Sequence, residues 1–97
     1  NLPACPGLFR DIAVAMGENV DGLDEQAAGS KVIDAIFRLN QAIDIPLNAQ
    51  ELGVDLAMLP QMVEDSMRSG NVLVNPRLTR AADIEQIITD AYHGKLD

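Results

Sequence analysis

Apolar residues recur along this chain at helical intervals, with no stretch alternating in the manner of a half-buried strand. Over residues 6–17, Leu8, Ile12 and Ala15/Met16 trace one helical stripe, and Phe9, Ala13 and Met16 another. Pro6 suits the first turn of that helix, and Gly17 suits a left-handed stop. Residues 18–23 then read as a loop. Asp24 is placed to cap a second helix, with Glu25 in its positive first turn. Ala28, Val32, Ala35/Ile36, Leu39 and Ile43 mark one face of it, opposite Lys31, Asp34, Arg38 and Gln41. Gly29 weakens a helix by roughly 1 kcal/mol relative to Ala. Its place on the Ala-rich side predicts the close approach of another helix. Pro46 drives Ile45 out of helical geometry, so this helix ends near Asp44.

Beyond Pro46 the pattern is more broken. Asn48-Ala49-Gln50-Glu51-Leu52-Gly53 reads as one capped turn closed by glycine. Pro60 opens a third helix that runs to about Ser69, with Met62, Val63, Ser66 and Met67 on its inner side. Residues 70–77 read as a non-helical crossing. Thr79 is the expected cap of a last helix in which Ile84, Ile87, Ile88 and Ala91 face inward and which Gly94 stops. Helix following helix without strands predicts an all-α bundle of about four helices, residues 1–97 forming a single all-helical segment. No internal repeat or low-complexity tract interrupts it.

Composition narrows the picture further. Aromatic residues make up only 3% against an apolar total of 47%, so the core is built from Ala, Val, Ile, Leu and Met. A net charge of −8 excludes the Lys/Arg surface that a phosphate backbone requires, and disfavours anionic membranes equally. The acidity suits solubility in a cytoplasm. One cysteine, Cys5, forms no internal disulfide framework, and no apolar run approaches the ~18 residues of a membrane span.

Candidate chemistry is sparse. His93 is the sole histidine, and it falls in a last helical turn that suits an imidazolium. The pairs Asp24/Glu25 and Glu64/Asp65 are sequence neighbours, which point in different directions on a helix. Asp65-Ser66-Met67 in a small acidic helical chain resembles the attachment motif of acyl carrier proteins, where the serine opens a long helix. Here Ser66 lies near a helix end, so a carrier-like or free-standing interaction module is the alternative reading. Met58, Met62 and Met67 read as adaptable core filler. No glycine pattern that would cradle a phosphate is present.

Four pieces together carry a family resemblance. Phe9-Arg10-Asp11-Ile12-Ala13-Val14-Ala15-Met16-Gly17 is similar to "F-x-x-I-A-x-x-(L/M)-G". Residues 35–46, AIFRLNQAIDIP, are similar to "A-I-x-x-L-x-x-x-(I/L)-G-I-P", with Asp44 where glycine is usual. Glu51-Leu52-Gly53-Val54 is followed by Leu59-Pro60. Asn75-Pro76-Arg77 with Thr79 and Asp83-Ile84 is similar to "N-P-R-x-x-(T/S)-x-x-(D/E)-I". In this order and spacing the chain resembles the end of the group III iron-containing alcohol dehydrogenases, within the dehydroquinate synthase-like helical domain.

The resemblance implies an intact NAD(P)-dependent oxidoreductase several times longer, with an N-terminal α/β domain for the nicotinamide and a helical domain for a divalent metal, usually iron. One Asp and three His hold that metal in such enzymes, upstream of the position matched by Asn1. This segment is therefore expected to bind neither cofactor itself and to be inactive alone. Its partners are then the remainder of the same dehydrogenase chain and, in a homo-oligomer, further copies. In relatives the loop ahead of Asn-Pro-Arg comes near the mouth of the substrate cleft. The resemblance thus nominates Ser69, Gly70, Asn71 and Val72 as substrate-channel lining; the plainer alternative is a connection between two helices. Asn75 and Arg77 read as structural.

Overall fold

Helix 1 and helix 2 face each other through their smallest residues. The computed structural model, which describes residues 1–95, contains four α-helices and several short 3-10 turns: α1 (Pro6–Ala15), α2 (Glu25–Ala42), α3 (Leu59–Met67) and α4 (Ala81–His93). No strand occurs among the described residues. The chain divides into two compact units, Asn1–Ile45 and Pro46–Asp97.

In the first unit the core is Ala13, Val20, Ala28 and Val32, with Phe9 and Leu23 packed against it. Of the two apolar stripes on α1, packing selects the Phe9/Ala13 side. Leu8 and Ile12 stay outside, at 61% and 45% exposure. Gly29 is buried at the crossing, as its sequence position predicts; a β-carbon there would run into the Leu2 side chain and lie 3.0 Å from Phe9 Cβ. Leu2 is delivered to this point by a 3-10 turn, Leu2–Ala4, that periodicity had not indicated.

Both helix ends of this unit are closed by paired bonds. Past α1, Gly17 at φ +83° lets its N–H reach the Val14 carbonyl at 2.9 Å and the Glu18 N–H reach Ala13 at 3.0 Å. Asp24 caps α2 as expected, its carboxylate accepting from the Ala27 N–H at 2.7 Å. At the far end Asp44 adopts φ +57°, with its N–H on Gln41 at 3.3 Å and the Ile45 N–H on Asn40 at 2.9 Å. An aspartate therefore performs the left-handed turn that glycine makes without steric cost. Arg10 donates from Nη1 to the Leu23 carbonyl at 2.9 Å, and an Arg38–Glu18 ion pair ties α2 to the loop after α1.

The predicted face of α2 is buried only in its first half. Ala28, Gly29, Val32 and Ala35 are covered, whereas Ile36, Leu39 and Ile43 are exposed at 47%, 52% and 57%. The periodicity is correct, but α1 is too short to cover it all.

In the second unit α3 packs on α4, and α4 also meets the 3-10 turn Ala49–Leu52. That turn is capped by Asn48, which accepts from the Glu51 N–H at 3.0 Å, and closed by left-handed Gly53. No described residue of this unit is fully buried. Met62, Val63, Ser66 and Met67 are half-buried, as the pattern on α3 predicts. Met58, expected as filler, is 53% exposed in a second short turn, Leu56–Met58. On α4 the inner side is Ile84, Ile88 and Tyr92, while Ala91 is exposed and Ile87 is 60% exposed. The expected inward positions of Ile87 and Ala91 are thus corrected: the half-buried row is Ile84, Ile88 and Tyr92 at i, i+4 spacing, while Ala91 borders an open cleft beside the 3-10 turn Ala49–Leu52. Gly94 ends α4 in a left-handed conformation, as expected.

Candidate functional site

The nominated residues 69–72 lie on the turn that leaves α3. α3 ends at Met67 rather than Ser69, with Arg68 as its last, half-helical residue. The expected irregular crossing is instead a 3-10 turn, Gly70–Val74. Ser69 initiates it by accepting the Asn71 N–H on its hydroxyl at 3.3 Å, a side-chain bond that steers the backbone into a tight turn. Ser69, Gly70 and Asn71 are exposed and Val72 is half-buried. Leu73 and Val74 stand out at 89% and 77% exposure. The Asn71 side-chain amide makes no hydrogen bond to the described residues.

Asn75 fastens the far end of this turn. Its Nδ2 donates to the Arg77 carbonyl at 2.8 Å and to Thr79 Oγ1 at 3.0 Å, while the Thr79 hydroxyl donates to the same carbonyl at 3.0 Å. Thr79 is therefore not the cap of α4, which corrects the sequence expectation. Arg80 holds the cap position, and the Asp83 carboxylate three residues on accepts the Arg80 N–H at 2.8 Å. The other Asp83 oxygen meets the Arg77 guanidinium at 3.4 Å. The signal for this arrangement was present: an acid three residues into a helix reaches back to the N-terminal amide. Thr79 drew the assignment because threonine is itself a good cap.

The remaining candidates stay apart. His93 ends α4 with its ring edge-on to Tyr92, centroids 5.1 Å apart at 89°. Among the described residues no three His, Cys, Asp or Glu side chains are grouped to hold a metal ion. The donor set thus does not fit an iron site, and no catalytic step is assigned to these residues. Ser66, the carrier-like serine, sits in the last turn of α3 and donates to the Met62 carbonyl at 2.7 Å. Cys5 Sγ lies 3.4 Å from the Asn1 carbonyl oxygen. A shallow cleft in the second unit is lined by Leu47, Asn48, Leu52, Ala91 and Lys95, and another by Leu59, Pro60, Val63 and Glu85. Neither includes residues 69–72.

Comparison with known proteins places this arrangement. Residues 1–92 match the Fe-containing alcohol dehydrogenase family, C-terminal. The chain belongs to that family. It is 42% identical over 92 residues to the 1,3-propanediol dehydrogenase of Citrobacter freundii, covering 95% of this chain and 24% of the relative. It is 35% identical over 91 residues to the NAD-dependent methanol dehydrogenase of Bacillus methanolicus, covering 94% and 24%. Lactaldehyde reductase of Escherichia coli strain K12 is 32% identical over 87 residues, covering 87% and 22%. The crystal structure of a 1,3-propanediol oxidoreductase superposes with a TM-score of 0.90 at 41% identity, over 94% of this chain and 24% of that one. As an Fe-containing alcohol dehydrogenase chain it thus corresponds to the all-helical C-terminal part, spanning about a quarter of the length of the relatives it matches. No described helix is long and apolar enough to cross a membrane.

Proposed function

We propose that these residues complete the helical part of a cytoplasmic NAD(P)-dependent, iron-type alcohol dehydrogenase, and that the 97-residue chain is inactive by itself. The observation that carries this reading is the pairing of a near-complete match on this side with about a quarter of each relative on the other. The apolar rows left open on α1 and α2 support it, since contiguous exposed apolar surface marks an interaction face. The intact enzyme interconverts a short-chain alcohol or diol with its aldehyde by hydride transfer; the names of the relatives suggest that substrate class. Bound metal would polarise the alcohol or aldehyde oxygen and the nicotinamide would exchange the hydride, both outside this segment. Its single role in substrate binding is to offer residues 69–72, with Asn71 foremost, to the mouth of the substrate channel.

The test is to express the polypeptide from the start codon of its gene and the 97-residue chain side by side. NAD(P)-linked oxidation of 1,3-propanediol with added iron is expected for the first and absent for the second. Aldehyde reduction by the short chain alone would overturn the proposal. The carrier-like alternative loses ground because Ser66 opens no helix and its hydroxyl is engaged by Met62.

A further inference from the structure

Both ends of the turn at residues 70–74 are held by hydrogen bonds. At its start Ser69 accepts the Asn71 N–H on its hydroxyl at 3.3 Å and the Val72 N–H on its carbonyl at 3.2 Å, and its own N–H reaches the Ser66 carbonyl at 3.0 Å. At its end the Asn75 amide, the Thr79 hydroxyl and the Arg77 carbonyl form a closed triangle of three bonds between 2.8 and 3.0 Å. The triangle spans Pro76, whose ring already restricts the backbone. Beyond it, Asp83 joins Arg77 to the amide of Arg80, the cap residue of α4. A short turn whose far end is fastened to a helix start by side-chain bonds can move only as that anchor allows, and a polar group on it inherits that precision.

The geometry points to Asn75 and Thr79 as positioning residues for substrate: they set where Asn71 is presented, without touching substrate themselves. This rests on the reading that residues 69–72 line the substrate channel, and it adds the element that determines their placement. Asn75 and Thr79 are half-buried and committed to the chain, whereas Asn71 is exposed and its amide is available to a hydroxyl or carbonyl oxygen of the ligand. Small displacements of a polar group from its ligand weaken binding steeply, because a hydrogen bond loses strength with length and angle.

The experiment is a double-mutant cycle in the intact dehydrogenase, with KM and kcat measured across a short series of alcohols and unfolding temperature measured in parallel. Asn71→Ala and Asn75→Ala are each expected to raise KM on the order of tenfold with a smaller effect on kcat. The double variant should lose little more than either single one, since Asn75 acts through Asn71. Thr79→Val should reproduce the KM rise and Thr79→Ser, which keeps the hydroxyl, should restore the parent value. That pair carries the test if Asn75→Ala does not fold. Fully additive losses, or equal KM values for Thr79→Val and Thr79→Ser, would overturn the positioning role while leaving the channel-lining reading intact. An unchanged alcohol ranking in Asn71→Ala would remove both.

Discussion

The Cα of Gly29 on α2 lies so close to Phe9 on α1 that a β-carbon there would stand 3.0 Å from Phe9 Cβ. The Leu2 side chain, which also blocks that position, can rotate away; Phe9 Cβ moves only with its backbone. Gly29→Ala should therefore destabilise the chain by about 1–2 kcal/mol, overpacking outweighing the roughly 1 kcal/mol gain in helix propensity. Gly7→Ala is the control. The nearest group a methyl there would meet is the Glu25 carboxylate, at 3.6 Å, an ordinary contact, so stability should hold or rise. Urea denaturation midpoints check both, and equal shifts for the two variants would contradict the close-approach account.

Asp44 occupies left-handed backbone at φ +57° where the surrounding motif favours glycine. Asp44→Gly is expected to stabilise by about 0.5–1 kcal/mol, the relief of strain exceeding the extra entropy of the unfolded chain. Asp44→Val should destabilise, because a β-branched residue tolerates this conformation least. Thermal unfolding monitored by circular dichroism gives the ranking Gly, Asp, Val.

Asp83 closes the start of α4 by accepting the Arg80 N–H, and it also meets Arg77. Asp83→Ala should cost about 1 kcal/mol, the usual range for a helix-start acceptor. Arg77→Met should cost less, since that pair is long and solvent-screened, with side chains 55% and 32% exposed. A larger loss from Arg77→Met would show that the ion pair, not the amide bond, secures the helix.

Ile36, Leu39 and Ile43 present an open apolar row on α2. The isolated 97-residue chain is expected to self-associate with rising concentration in sedimentation velocity, and Leu39→Glu should shift it towards monomer. In the intact dehydrogenase the same substitution should destabilise, because it places a charge where apolar cover is required. A chain monomeric at every concentration would argue against an interaction face.

Ser66 should remain unmodified when the chain is incubated with coenzyme A and a phosphopantetheinyl transferase. Its hydroxyl is bonded to Met62 within a helical turn and lacks the exposed helix-start position that a swinging arm requires. A mass increase at Ser66 would revive the carrier reading.

Much of this architecture was written locally. The caps at Asp24 and Asn48 and the left-handed stops at Gly17, Gly53 and Gly94 follow from side-chain chemistry within a few residues. The motif around Asn75 was one of four pieces that together carried the family resemblance, since a short hydrogen-bonded connection leaves its pattern in adjacent positions. Tertiary structure alone decided which of two apolar stripes on α1 is buried and that only half of the α2 face is covered; that Thr79 serves Asn75 while Asp83 serves the helix was settled between local competitors a few residues apart. Periodicity reports which residues lie on one side of a helix; whether anything lies against that side depends on the length and placement of a neighbour encoded elsewhere in the chain.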